Sequence, residues 1–368
     1  MTEHERGPID REAPAHHERP AHPAGDGRPP DRERPAHHRA GGGFRNPWPE
    51  AAGDDALRKR FREVAWEWFT TSLPPDPAPG DLPVVESDFA RPHSDDELRI
   101  TWVGHATFLI QLPGLNVLTD PVWAPRVSPV SFLGSKRLVA ASPALDALPP
   151  IQAVLISHDH YDHLDVPTVR GLHARLGDAL TWYTPLGYRD WFDKLGVERV
   201  VERDWWQETE APGGAYRIVA APARHWTRRT PRGTNRRLWC SWALLPTAPG
   251  GHRVYFAGDS GYGTFFREVG ERYGPFDASM IPIGAYEPRW FMKPAHMNPE
   301  EAVRVYADVG GTGAFIPSHW GTFRLTFEPP LEPPGLTRAA WKGAGLPGKD
   351  LRILRHGETT RVAARSRS

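Results

Sequence analysis

The run Ser157-His158-Asp159-His160-Tyr161-Asp162-His163-Leu164-Asp165 concentrates the chemistry of this 368-residue chain. It follows Ala153-Val154-Leu155-Ile156, a short apolar run of the kind that forms a buried strand. His158 and His160 are two apart and point the same way in an extended segment. Asp162 and His163 follow one turn later, where the chain enters a helix expected over 166–176 with Asp165 as its N-cap. Three imidazoles and the Asp162 carboxylate would cost free energy if buried without partners. They suit a divalent metal, because neutral imidazole and carboxylate are ordinary ligands for zinc and similar ions. The alternative is a solvated polar loop, and the apolar strand that delivers the run argues against it.

Three more residues stand where an apolar strand ends. His225 follows Ile218-Val219-Ala220-Ala221-Pro222, Asp259 follows Val254-Tyr255-Phe256-Ala257-Gly258, and His319 follows Ala314-Phe315-Ile316-Pro317. Any one could be an idle loop residue. Their repetition in a chain that already carries His-x-His-x-Asp-His favours one convergent site. His105, in Gly104-His105-Ala106, reads instead as a hydrogen-bonded structural histidine.

The elements that must position these residues follow from hydrophobic period. Residues 98–103 and 107–112 predict a β-hairpin, and 116–121 a third strand. After the metal-type run come strands at 180–183, 199–202, 216–221, 238–245, 253–257, 278–282 and 313–316. Helices are expected at 188–195, 265–273 and 299–308, the last with a capping box from Asn298 and Glu301. Leu351–Leu354 is expected to close the sheet. Upstream, an amphipathic helix from Asp54 or Asp55 to Phe69 carries Leu57, Phe61, Val64, Ala65, Trp68 and Phe69, with basic residues crowding its first half. It reads as packed on the domain, with an interfacial membrane helix as the alternative. Residues 73–93 read as a Pro-rich linker. Strands interspersed with helices indicate an α/β chain.

Composition bounds the rest. Lys plus Arg and Asp plus Glu both number 45, so no general nucleic-acid footprint is expected. One cysteine, Cys240, excludes an internal disulfide, and no apolar run has the length of a membrane span. The expectation is a cytoplasmic protein, with peripheral contact at the inner membrane face as an option. Residues 1–43 hold almost no large apolar side chains and predict a disordered tail. Its histidines 4, 16, 17, 22, 37 and 38 could bind metal loosely, but a flexible solvated arm is the expectation. Residues 44–368 form the single expected domain, with 44–97 as its N-terminal helix and linker.

The His-x-His-x-Asp-His pattern resembles the metallo-β-lactamase superfamily. The resemblance implies a four-layer αββα sandwich with a two-metal site at one edge between the sheets. It would put His158, His160 and His225 on one ion and Asp162, His163 and His319 on the other, with Asp259 bridging. Two Zn2+ are implied, with iron or manganese as possible substitutes. Within that superfamily the chain is similar to the N-acylphosphatidylethanolamine-hydrolysing phospholipases D from Phe44 to about Glu358. The similarity is carried by Phe44-Arg45-Asn46-Pro47-Trp48-Pro49, Thr119-Asp120-Pro121, Ser128-Pro129 with Gly134-Ser135-Lys136-Arg137, and Asp204-Trp205-Trp206. It is most specific in His225-Trp226 with Leu238-Trp239-Cys240-Ser241-Trp242, in Pro282 to Lys293, and in His319-Trp320-Gly321-Thr322-Phe323. Ser260, Ala295 and the loop Arg324 to Pro330 depart from the mammalian pattern.

That similarity implies hydrolysis of a phosphodiester lipid to phosphatidic acid and an N-acylethanolamine, by a hydroxide held between two metals. Asp162, His296 and Tyr262 are the candidates for proton transfer to the leaving alcohol. Arg289, Trp290, Lys293 and Tyr262 are the candidates for holding substrate. The expected partners are a phospholipid or membrane-surface substrate and no nucleic acid, with a homodimer as the candidate assembly. A lactonase or sugar-phosphate hydrolase on a soluble substrate, and a non-catalytic lipid-binding protein, are the alternatives.

Overall fold

The computed structural model describes residues 35–48, 63, 64, 66, 67, 70–89, 97–129 and 133–363. Residues 1–34 of the expected tail lie outside them, as does most of the expected helix before Phe69. Glu63, Val64, Trp66, Glu67 and Thr70 are helical.

Fifteen strands among the described residues form two large sheets and one two-stranded ribbon. The first large sheet contains β1 (Glu97–Gly104), β2 (Thr107–Leu112), β3 (Leu115–Thr119), β6 (Ala153–Leu155), β7 (Thr181–Pro185), β8 (Val200–Arg203) and β15 (Thr359–Ala363), in the order β15-β1-β2-β3-β6-β7-β8. The second contains β9 (Glu208–Glu210), β10 (Tyr216–Ala221), β11 (Ser241–Pro246), β12 (Val254–Phe256), β13 (Ala278–Pro282) and β14 (Ala314–Ser318), in the order β14-β13-β12-β11-β10-β9. The ribbon pairs β4 (Arg126–Val127) with β5 (Ser135–Lys136). Each large sheet begins as an antiparallel meander and ends in parallel strands.

Period-two alternation gives every central strand two apolar faces. Ile100, Trp102, Phe108 and Leu155 face a core shared with Ile218, Trp242, Phe256 and Ile316 of the other sheet. Outside the first sheet, Val154 packs against Leu172 and Phe192, from helices α1 (Val166–Leu176) and α2 (Arg189–Asp193). Outside the second, Val219, Ala243 and Phe315 meet Phe266, Val303 and Trp341. Those three come from α3 (Phe265–Tyr273), α5 (Pro299–Asp308) and α6 (Glu332–Gly343), and the four-residue α4 (Arg289–Met292) lies in the loop between β13 and α5. The result is the αββα sandwich. Helices α1, α3 and α5 have the expected bounds, with Asp165 capping α1 through Thr168 N and a full capping box at Asn298 and Glu301.

Three expectations are corrected. Leu351–Leu354 does not close the sheet: Leu351 makes an isolated bridge to Phe315, and Leu354 fills the shared core. The closing strand is β15, antiparallel to β1 with Glu97 opposite Ala363. An edge strand buries only half its side chains, here Thr360 and Val362, so its sequence signal is faint. Second, α6 stands over Glu332–Gly343, a stretch to which the sequence assigned no element; its prolines 333 and 334 sit in the first turn, where a missing N–H costs nothing. Third, the domain begins before Phe44. His37 is buried, His38 bridges Phe44, and the Phe44 N–H donates to the Asn235 carbonyl at 2.7 Å.

Candidate metal centre

The C-terminal ends of five strands from both sheets deliver the polar cluster. Asp120 follows β3, the run Ser157–His163 follows β6, His225 follows β10, Asp259 follows β12 and His319 follows β14. Two hydrogen bonds between the sheets fix the spacing, from Cys240 N to the Ser157 carbonyl and from Trp242 Nε1 to the Ile156 carbonyl, each 3.0 Å. Gly258 (φ 58°) turns the chain into Asp259 so close to Ser157 that an added Cβ would lie 2.6 Å from the serine Cβ. His105, Asp120 and His319 also have positive φ, at 56°, 33° and 61°. Non-glycine residues hold that conformation only where the surroundings over-determine it, which points to function here.

The seven sequence-predicted ligands come together. His158, His160 and His225 form one group, with His158 Nε2 2.9 Å and His225 Nε2 3.2 Å from His160 Nδ1. Asp162, His163 and His319 form a second, which His105 joins. Asp259 Oδ2 stands between them, 3.1 Å from both His163 Nε2 and His319 Nε2, 3.8 Å from His158 Nε2 and 3.9 Å from His225 Nε2. Asp120 also lies within 4.8 Å of one member of each group, His158 and His163, but its contact to His163 is to Nδ1, the nitrogen away from Asp259. His163 Nε2, His319 Nε2 and Asp259 Oδ1 are buried without hydrogen-bond partners. These imidazole nitrogens make no hydrogen bond and face only the Asp259 carboxylate, an arrangement that a cation between them would satisfy, so the donor set fits divalent metal.

Electrostatics agree. Burial opposes charge on every member, yet Asp162 and Asp259 are held well below the usual carboxylate range by His163 and their other histidine neighbours. Burial also works against protonation of His319, but Asp259 and Asp162 overcome it and raise the residue to about 9. His160 and His225, driven mainly by burial, fall to about 4 and about 3. Two ionised carboxylates in a dry pocket thus demand positive charge, which protons or metal ions can supply in exchange for one another.

A second layer orients the ligands. Asp120 is fully buried; its carboxylate accepts from Ser157 N (2.6 Å), Ser157 Oγ (2.5 Å) and His163 Nδ1 (2.7 Å). That leaves His163 Nε2 facing Asp259. His105 Nε2 lies 3.0 Å from Asp162 Oδ2, and Thr322 Oγ1 accepts from the His105 N–H. His105 is hydrogen-bonded, as expected, but it sits inside the cluster. Asp120 carried no role in the sequence reading. The signal existed, since Asp120 also ends an apolar strand. Substituting Asp120 with asparagine is expected to weaken metal binding at the His163 side about 10–100-fold, the usual cost of losing an orienting partner. Metal titration of the apoprotein checks this, and equal affinity in both proteins would show that His163 is oriented otherwise.

A cavity of about 290 Å³ opens onto the cluster. Asp162, His160, Asp259 and His296 form its polar end, and Val64, Phe291, Met292, Leu325 and Phe327 are among its apolar walls. His296 is therefore at the site, with its buried Nδ1 unpartnered and 4.0 Å from Asp259 Oδ2. The four proposed substrate contacts are elsewhere. Arg289 donates to the His296 carbonyl (3.0 Å) and to Glu301 (2.7 Å), so its charge is used to hold the loop that carries His296. Tyr262 Oη donates to Asp308 (2.7 Å), which removes it as a proton donor to substrate. Trp290 is 41% exposed and packs edge-on against Phe291, and Lys293 is exposed at the end of α4. None of the four lines the cavity.

The profile described as beta-lactamase superfamily domain matches residues 115–320. An N-acyl-phosphatidylethanolamine-hydrolyzing phospholipase D 1 of Caenorhabditis elegans is 40% identical over 306 residues, covering 79% of this chain and 84% of that protein. The mitochondrial N-acyl-phosphatidylethanolamine-hydrolyzing phospholipase D of Saccharomyces cerevisiae is 33% identical over 237 residues, 63% of this chain and 49% of that protein. An uncharacterized protein of Mycobacterium tuberculosis is 41% identical over 280 residues, 75% of this chain and 72% of its own. Among solved structures, an isothiocyanate hydrolase from Delia radicum gut bacteria superposes with a TM-score of 0.56 at 19% identity, covering 73% of this chain and all of that one. Igni18, a metallo hydrolase of Ignicoccus hospitalis, gives 0.55 at 19% identity, over 72% of this chain and 98% of its own. At that identity the likeness shows the fold.

Proposed function

The chain belongs to the beta-lactamase superfamily and is a metal-dependent hydrolase, and from that premise we propose that it cleaves N-acylphosphatidylethanolamine-like phospholipids. The products in this reading are phosphatidic acid and an N-acylethanolamine. The observation that carries it is the cavity, whose polar end is the carboxylate–histidine cluster and whose walls, Glu287 and Thr326 apart, are apolar. A soluble sugar phosphate has no use for walls of Phe291, Met292, Leu325 and Phe327. An acyl chain does, at about 25 cal/mol per Å² removed from water.

Two zinc ions, or iron or manganese in their place, would be held by His158, His160, His225 and Asp259, and by Asp162, His163, His319 and Asp259. When bound, such ions acidify water and offset charge on phosphate oxygens. The protein does the rest. Asp259 ties the two halves of the cluster, and Asp120 and His105 fix the planes of His163 and Asp162. Trp226 and the apolar walls keep bulk water from the reacting phosphate. Water adds to phosphorus as the P–O bond to the N-acylethanolamine oxygen breaks, and that oxygen must gain a proton. Burial lowers His296 to about 3, so it waits as a neutral imidazole. The attacking water gives up a proton as it adds, and His296, as a neutral imidazole at the polar end of the cavity, can accept that proton and pass it to the departing oxygen. Trp66, which is 72% exposed, lies two residues from Val64 of the cavity wall, and exposed Trp290 adjoins Phe291. Both tryptophans support docking at a lipid surface.

The test compares N-acylphosphatidylethanolamine in mixed micelles, a soluble bis-aryl phosphodiester and a soluble lactone. The lipid is expected to have the highest kcat/KM, with phosphatidic acid as product. Faster turnover of the lactone, or an untouched lipid with a fully loaded enzyme, overturns the assignment.

A further inference from the structure

A second cluster of metal-capable side chains lies away from the cavity. His37 Nε2 is 2.7 Å from Asp204 Oδ1, and His38 Nε2 is 2.7 Å from Asp204 Oδ2. The two imidazoles come from the segment before Phe44, and the carboxylate from the turn between β8 and β9. We propose that His37, His38 and Asp204 form a third divalent-cation site, of zinc-type chemistry, that fastens the N-terminal segment to the domain.

The donor set is the first support. Two imidazoles and one carboxylate match three-ligand zinc sites, with water in the fourth position. Their ligand atoms all lie within 4.8 Å of one another. Tetrahedral zinc with bonds of about 2.0–2.2 Å sets its ligand atoms about 3.4 Å apart, so the contact to whichever Asp204 oxygen ligates need open by only about 0.7 Å, and the other separations lie within 4.8 Å. The histidines His158, His160 and His225 of the main cluster stand at 2.9 and 3.2 Å, a comparable compaction.

Orientation is the second support. His37 stacks on Trp205 with centroids 4.2 Å apart and an interplanar angle of 22°, and His38 meets Phe44 edge-on at 5.0 Å. The Trp205 N–H donates to Asp204 Oδ1 at 2.8 Å. The rings and the carboxylate are thus held by neighbours, as second-layer contacts hold metal ligands. Gly43 lets the loop close, since it has φ 80° and an added Cβ would lie 2.5 Å from the Asn235 carbonyl. All three side chains are at least half-buried, unlike a chance cluster on a solvated arm.

The site has a consequence for catalysis. Its loop continues to Asn46, whose Nδ2 donates to the His225 carbonyl at 2.9 Å, and to Trp48, which stacks on Phe265 at 4.5 Å. A cation at Asp204 therefore braces the segment behind a ligand of the catalytic cluster.

The experiment loads the full chain with zinc alone, removes loose metal on a desalting column and counts zinc by elemental analysis. Wild type is expected to retain one equivalent more than Asp204→Asn and one more than His38→Ala. Histidines 4, 16, 17 and 22 are present in all three proteins, so the difference isolates this site. Equal zinc in the three proteins overturns the proposal. Should a variant lose its fold, anomalous scattering at the zinc edge from wild-type crystals decides: a peak between His37, His38 and Asp204 supports the site, and none there overturns it.

Discussion

Replacing Asp259 with alanine is expected to lower kcat/KM by about a thousandfold or more, roughly 4 kcal/mol of transition-state stabilisation. Bound metal should fall from two ions per chain to one or none. The reason is geometric. Asp259 Oδ2 is 3.1 Å from two imidazoles of one group and within 3.9 Å of two from the other. Its loss removes a ligand from both groups at once and leaves His163 and His319 with one carboxylate fewer to balance a cation. His225→Ala is the contrast. His225 belongs to one group only, so that variant should keep about one ion, on the side of Asp162, His163 and His319. Elemental analysis of the folded variants beside their kinetics reads both effects. An Asp259→Ala protein with two ions and near-normal rates would show that the two groups act apart.

What the sequence disclosed depended on how local each signal was. His158, His160, Asp162 and His163 share one loop, so their spacing alone indicated a site. His225, Asp259 and His319 are far apart in sequence, yet each ends an apolar strand; β12, β13 and β14 run parallel, and β10, two antiparallel steps from β12, points the same way, so the three ends meet on one edge. Helices α1 and α5 announce themselves through Asp165 and the Asn298–Glu301 box, which are contacts within a few residues. Pairings across longer distances are not written that way. Arg289 looks like an anion holder until Glu301 and the His296 carbonyl are seen to occupy it. Tyr262 looks like an acid until Asp308 takes its hydroxyl. His37 and His38 looked like part of a solvated arm because Asp204 is more than 160 residues away. The cavity was least visible of all, since its walls come from the segments around Val64, Phe291 and Leu325. Apolar residues in loops carry no period, and only the folded chain brings them to one wall.

The cavity wall gives the second large effect. Leu325 and Phe327 lie in the loop 324–330, and both line the cavity beside Asp259 and His296. If the chain cleaves the proposed lipid, this loop is where acyl preference would be set. Leu325 is half-buried on a loop, so a polar substitution there should leave the fold intact. Leu325→Asp removes an apolar contact worth about 2 kcal/mol and adds a carboxylate that an acyl chain would have to desolvate, at several kcal/mol more. The expected result is a loss of about 100-fold or more in kcat/KM for the lipid, chiefly through KM, since the chain binds alike in ground and transition states. The soluble bis-aryl phosphodiester, which has no acyl chain, should stay within about threefold of wild type, because removing ground-state contacts it never makes costs it nothing. Leu325→Trp narrows the same wall, and should shift preference toward shorter N-acyl chains while leaving the soluble diester unchanged. Equal losses on lipid and soluble diester would mean that Leu325 supports the metal cluster instead of the substrate. No loss on either would place the acyl chain outside this cavity, and the lipid would then have to be held from the exposed face that bears Trp66 and Trp290.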